Sequence, residues 1–197
     1  MNFKPLSLPG SYMIELTPRG DARGRFTRLF CEKEISQIEW TKHIVNVNAS
    51  VTQLKGTIRG MHFQKPPKAE VKIVRCVRGA VYDVIVDIRK DSPTFLQHIG
   101  VELTDSNDRM LYIPEGFAHG FQTLTDDVEF MYFVTEFYSS EQEGGLRYND
   151  PRLAISWKLE PTEISLRDRN HPLLDNDFTG LNISVLSTIP DNYHFAI

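Results

Sequence analysis

VKIVRCVRGAVYDVIVDI, residues 71–88, decides what kind of fold this chain builds. Two runs rich in Val, Ile and Tyr, 71–77 and 80–88, meet at Gly79, a turn residue between stretches suited to a pleated surface. Side chains alternate faces along a strand, so Lys72, Val74 and Cys76 share one face of the first run. A lysine turned inward among apolar neighbours is unfavourable unless it meets an anion. The alternative is an outer, solvated face.

The same pattern recurs on both sides. YMIEL (12–16), RFTRLFC (25–31), HIVNVNASVTQ (43–53), HIGVEL (98–103), RMLYI (109–113) and VEFMYFVTEF (128–137) all read as strands. Asp105-Ser106-Asn107 and Pro114-Glu115-Gly116 punctuate them as turns. Helices are predicted only at 32–39 and, briefly, near 161–169. Many short strands with little helix predict a mainly β sandwich or barrel. The 197 residues fit one domain, with the tail from about 179 peripheral.

Composition narrows the function. A hydrophobic fraction of 41% with 24% charged residues is that of a globular protein. No run approaches the roughly 18 apolar residues of a membrane span, and the N-terminus lacks a signal-peptide core. A net charge of −4 argues against nucleic acid as a partner. Two cysteines, Cys31 and Cys76, are too few for a disulfide framework, so the expected location is cytoplasmic.

The candidate chemistry starts in GTIRGMHFQKPPKAEVKIVRC (56–76), where His62 lies between Arg59 and the pair Lys72 and Arg75. A lone histidine is more often structural. If it shares a cavity with Lys72, the two resemble a base beside an electrophilic stabiliser. IPEGFAHGFQTL (113–124) sets His119 on a strand between Phe117 and Phe121. The histidine spacing of a β-barrel metal site is missing around both His62 and His119. Combinations with Glu70 or Glu129 are weak, so no metal is expected. Tyr132 shares its face with Val128, Phe130, Val134 and Glu136, the usual setting of a core tyrosine. RGDARGRFTR (19–28) holds four arginines, either a solvated face or a phosphate clamp.

In combination, further motifs are specific: D-x-R-G-x-F at 21–26, N-x-S at 48–50, R-G-x-H-F-Q at 59–64, K-x-V-R at 72–75, V-x-D-V-x-V-D-x-R at 81–89, S-P-T-F at 92–95, I-P-x-G-F-A-H-G-F at 113–121 and D-P-x-x-x-I-x-W at 150–157. Over roughly residues 3–178 the chain resembles the dTDP-4-dehydrorhamnose 3,5-epimerase family. The resemblance implies a cupin-like double-stranded β-helix, or jelly-roll, barrel with short peripheral helices. It implies a homodimer to which the N-terminal strands, about 1–55, contribute, and no metal or coenzyme. Residue by residue, it makes His62 the catalytic histidine, Asp168 its supporting aspartate, Tyr132 the acid and Lys72 the group near the ketone. Arg23, Phe26, Asn48, Arg59, His119, Tyr138 and Glu143 would line a cleft for a nucleotide-diphosphate 4-keto sugar. Arg25 and Arg28 stand where dTDP-using members usually carry an aromatic and an acidic residue, and Phe133 replaces a common lysine.

The implied chemistry suits these residue types. A C4 ketone acidifies the protons at C3 and C5. Neutral His62 would take one, Lys72 would stabilise the enolate, and Tyr132 would return a proton from the opposite face. The competing readings are a single-centre epimerase, a ketoisomerase, a catalytically silent sugar-nucleotide binder and, disfavoured by ligand spacing, a metal-dependent oxygenase.

Overall fold

The apolar runs do become strands, and the strands sort into two facing antiparallel sheets. The structure is a computed structural model that describes residues 1–38 and 40–183. In chain order its elements are β1 (Asn2–Pro5), β2 (Tyr12–Glu15), β3 (Arg19–Asp21), β4 (Gly24–Phe26), α1 (Glu32–Ile35) with a 3-10 turn at Ser36–Ile38, β5 (Asn46–Thr52) and β6 (Ile58–Gln64). Then come β7 (Lys72–Arg78), β8 (Ala80–Asp87), β9 (His98–Thr104), β10 (Arg109–Ile113), β11 (Phe117–Thr123), β12 (Val128–Val134), β13 (Glu143–Gly145) and α2 (Leu166–Arg169). A six-stranded sheet runs β1-β2-β10-β7-β12-β5 and a five-stranded sheet β13-β6-β11-β8-β9, with β3-β4 a separate hairpin.

The period-2 pattern explains the packing. Val74 and Cys76 of β7, Leu111 and Ile113 of β10, and Val128 and Phe130 of β12 turn inward. They meet Val81 and Ile85 of β8, Leu103 of β9, and Phe117 and Phe121 of β11. Phe121 and Phe130 pack with centroids 4.7 Å apart across that interface. The alternate positions are used too. Ile73, Met110 and Tyr112 pack outward against Ile35 and Ile38, while Val84 and Val86 pack outward against Leu146, Leu153 and Trp157. Both faces of β7 and β8 are therefore buried, which is why these strands read as almost continuous hydrophobic runs. The two facing antiparallel sheets close a mainly β, cupin-like barrel.

Three expectations shift. The run 25–31 is a strand only as far as Phe26; Leu29 and Phe30 instead cover the outer face of the six-stranded sheet, Phe30 edge-on to Trp40 at 6.1 Å. Apolar side chains there serve packing rather than a ladder. The helix predicted over 32–39 is one α turn and a 3-10 turn ending at Ile38, with residue 39 outside the described residues. The second helix shrinks to 166–169. In the tail, Leu181 is tied by 2.7 Å backbone hydrogen bonds to Ile88 and Lys90; residues 184–197 lie outside the described residues.

Three of the quoted motifs, at 81–89, 92–95 and 150–157, turn out to be structural. Asp87, fully buried, accepts hydrogen bonds from Arg89 (2.7 and 2.9 Å), Ser92 (2.6 Å) and Thr94 (2.6 Å). Burial alone would raise its pKa, but these donors hold it below the ordinary carboxylate value. Asp150 accepts from the Leu174 amide at 2.6 Å, tying down the segment that follows α2.

Candidate active site

Strand β6 carries the central histidine, and a glycine contact sets its path. Gly60 has φ +135°, and a Cβ there would come within 2.5 Å of the Gly120 Cα on β11. Only glycine fits both demands. The register between β6 and β11 shifts just there, between His119 and Phe121. The Gly60 amide donates to Asp168 Oδ2 at 3.2 Å, and two residues on His62 Nε2 lies 2.7 Å from Asp168 Oδ1.

Asp168 comes from α2. Ser165 caps that helix, its hydroxyl accepting from the Asp168 amide at 3.0 Å. The carboxyl group is thus buried with the His62 ring and the Gly60 amide as donors. Burial would raise the Asp168 pKa, but the His62 bond, the His62 charge and the Gly60 amide hold it below the ordinary value. An ionised Asp168 fixes the His62 tautomer, with the proton on Nε2 and the other ring nitrogen free.

The opposite wall belongs to the six-stranded sheet. Tyr132 of β12 pairs in register with Asn48 of β5 and with Val74 of β7, while Lys72 pairs with Val134 two positions along. The Tyr132 hydroxyl lies 3.2 Å from Ser50 Oγ. Burial pushes the phenol up to about 12, with the Ser50 bond opposing; it keeps its proton at any physiological pH. Lys72 points inward and is ion-paired with Glu70 at 3.1 Å.

Two cavities meet between these walls. One, of about 350 Å³, is lined by Asn48, Ser50, His62, Lys72, Tyr132 and Glu143 among others. The other, of about 630 Å³, is lined by Thr52, Arg59, His62, Tyr132, Arg167 and Asp168 among others. His62 and Tyr132 line both, so they sit at the junction, one on each sheet.

The profile of the family described as dTDP-4-dehydrorhamnose 3,5-epimerase matches residues 5–176. The chain belongs to that family. A dTDP-4-dehydrorhamnose 3,5-epimerase of Sinorhizobium fredii is 41% identical over 175 residues, 88% of this chain and 90% of the relative. Among solved structures, dTDP-6-deoxy-D-glucose-3,5-epimerase of Legionella pneumophila, in complex with dTDP-4-keto-L-rhamnose, superimposes with a TM-score of 0.86 at 37% identity, covering 93% of this chain and 99% of that one. A 3'-monoepimerase of Streptomyces bikiniensis, in complex with dTDP-quinovose, gives a TM-score of 0.79 at 33% identity, covering 86% of each chain.

Within this epimerase-family fold, not every residue expected in the cleft reaches it. His62, Asp168, Tyr132, Lys72, Asn48, Arg59, Tyr138 and Glu143 all line one or other cavity. The Tyr138 hydroxyl donates to Glu143 at 2.7 Å, and Arg167 also pairs with that carboxylate. His119 does not line the cleft. It is 4% exposed, bonded to the buried Asp83 at 2.9 Å and packed edge-on to the Tyr132 ring at 6.3 Å. The β-sandwich interior takes it because Asp83 supplies a partner there. Arg23 and Phe26 are also not brought together with His62. They sit on the β3-β4 hairpin, where Phe26 is 70% exposed and Arg23 pairs with Asp21 at 2.6 Å. Arg25 and Arg28 are likewise held away from the cleft, by Asp108 at 3.0 Å and Glu34 at 2.6 Å.

One residue escaped the sequence reading. His171 brings its Nε2 to 3.9 Å from Asp168 Oδ1, and its ring stands edge-on to that of His62 at 6.2 Å. The available signal was the three-residue spacing from Asp168.

Proposed function

We propose that this chain inverts C3, C5 or both in a nucleoside-diphosphate 4-keto-6-deoxyhexose of the dTDP-4-dehydro-6-deoxyglucose type, as a step in deoxysugar biosynthesis. The carrying observation is the placement of His62 and Tyr132 on opposite sheets at the junction of two cavities. Inversion needs a proton removed on one face and returned on the other. A binding module needs neither. The known activity named for the family's members supports the same reading.

The sugar would sit at the junction. The free ring nitrogen of His62 abstracts the proton α to the ketone, and Asp168 stabilises the imidazolium that forms. Negative charge gathers on the C4 oxygen, where the Lys72 ammonium meets it. Tyr132, protonated because it is buried, delivers a proton to the opposite face. Arg59, in the larger cavity, would take the diphosphate, with its planar fork matched to phosphate oxygens. Asn48, Tyr138 and Glu143 would border the remainder of the substrate.

Arg23 and Phe26 enter this scheme through a second copy. On this reading the chain is a homodimer, and the exposed hairpin reaches the partner's cleft. Such an enzyme would work in the cytoplasm on a nucleotide-sugar substrate, away from nucleic acid and membrane; among the described residues no helix is long and apolar enough to cross a bilayer. Inversion at a single centre is the second reading, favoured by the match to a 3'-monoepimerase. Solvent deuterium incorporation across a panel of 4-keto nucleotide sugars, read position by position by NMR, tests both. Label at C3 and C5 with new epimers is expected; label at one carbon supports the second reading, and none from any substrate overturns both.

A further inference from the structure

We propose that His62, Asp168 and His171 form a binding site for one divalent ion of the zinc class, and that the ion switches the His62–Asp168 pair off. One donor atom from each of the three lies within 4.8 Å of the other two. His62 Nε2 is 2.7 Å and His171 Nε2 3.9 Å from the same carboxylate oxygen. Bonds of about 2.1 Å in a tetrahedron put donor atoms about 3.4 Å apart, so the two contacts to the carboxylate oxygen need to change by less than about 1 Å, and a modest approach of the two histidine nitrogens completes the site.

The His171 nitrogen is the telling feature. It is buried and has no hydrogen-bond partner, which is unfavourable unless something else meets it. The residue is also held in place. Its carbonyl accepts from Arg147 Nε at 2.6 Å, and the Leu174 amide, three residues on, is bound by Asp150. Its ring fills the space that Gly145 leaves empty; a Cβ at Gly145 would fall 2.1 Å from His171 Nε2. Two neutral imidazoles and a carboxylate select zinc, copper or nickel over magnesium or calcium. Three protein ligands leave a fourth position open.

The consequence for catalysis rests on His62 being the base, as proposed above. In the metal-free pair His62 carries its proton on Nε2, toward Asp168, and offers its lone pair on Nδ1. With the ion on Nε2, the one proton of neutral imidazole moves to Nδ1. No proton is gained or lost, yet no basic nitrogen faces the substrate.

The test uses full-length, tag-free protein stripped of metal, titrated with Zn²⁺ by calorimetry and with Co²⁺ by visible absorption. The wild type is expected to take one ion per chain, and His171→Gln to bind about 100-fold more weakly. Zn²⁺ should stop deuterium exchange in the wild type, while metal-free His171→Gln exchanges within about twofold of it. Equal affinity in the two proteins overturns the site. Should His171→Gln fold poorly, Cu²⁺ bound to the wild type must show two imidazole nitrogens by pulsed EPR, and one nitrogen overturns it. If Zn²⁺ binds through His171 but exchange continues, the switch is wrong. If instead metal-free His62→Ala still exchanges, the base assignment has failed and the titration alone still decides the site.

Discussion

Two histidines of the five-stranded sheet each pair with an aspartate, and the two pairs differ chiefly in access and in the element that brings the aspartate. His62 and His119 face each other in register on β6 and β11. Each places Nε2 within 3 Å of a carboxylate oxygen, 2.7 Å to Asp168 and 2.9 Å to Asp83. The His119 and Asp83 side chains are 4% and 0% exposed, closed over by Phe130 and Tyr132. The His62 side chain is 34% exposed, and its aspartate arrives from α2 at the rim. The same two groups thus make a core polar pair in one place and a candidate acid–base pair in the other. Residue identity does not separate them; the supporting element does. An aspartate from the neighbouring strand buries its histidine, whereas an aspartate from α2 leaves the ring's far side open to the cavities.

That contrast can be broken. His62→Ala should reduce proton exchange at every reactive carbon by roughly 10²- to 10⁴-fold or more in protein that remains folded, with some loss of stability because Asp168 loses its partner; near wild-type exchange in folded protein would remove His62 from the base role. Asp168→Asn should slow exchange by up to about 10⁴-fold, because the amide no longer selects the productive tautomer. It should also change acid stability in a defined direction. The Asp168 pKa is depressed on folding, so its contribution is complete above the ordinary carboxylate value of 3.8 and is lost as pH falls through the lower folded value. The stability gap between wild type and Asp168→Asn should therefore shrink in acid unfolding, and a constant gap would contradict the assignment. His119→Ala should do the reverse of His62→Ala. It strands the buried Asp83, at about 3–5 kcal/mol by chemical denaturation, yet the protein that remains folded should exchange within a few-fold of wild type. A stable, inactive His119→Ala would place that histidine back in the cleft.

How much of this could be read from the chain follows the same division. Strand positions and the face that Tyr132 shares with its strand neighbours were legible, because alternation is a local property of consecutive residues. For Lys72 the sequence showed only a face shared with Val74 and Cys76, with a solvated outer face as the alternative; the structure turns it inward. What alternation cannot carry is which wall of a barrel an inward residue lines, or how deep. His119 was expected in the cleft because its motif matched; only the β8-β11 register, which puts Asp83 within reach, shows that it is sealed. Arg23 and Phe26 are a different case: one chain's hairpin does not cover its own cleft, and a single chain's geometry leaves their role to the proposed second copy. For His171 the chain offered only its three-residue spacing from Asp168, because the His62 ring it meets lies on a strand more than a hundred residues earlier and the glycine that makes room for it sits on β13, a three-residue strand with no pattern of its own.

The central claim is that the cleft works with a base on one sheet and an acid on the other. Tyr132→Phe tests it most directly, with deuterium incorporation and epimer yield measured in the same sample. If Tyr132 is the acid, His62 still removes the proton and returns a solvent-derived one from its own side. Exchange therefore survives, while inversion falls much further because the opposite face is left to water. If Tyr132 merely packs beside Phe130 and shares a hydrogen bond with Ser50, losing the hydroxyl removes about 1 kcal/mol of stability and leaves both quantities alone. Survival of exchange with collapse of inversion is the predicted result; equal loss of both, or loss of neither, would contradict it.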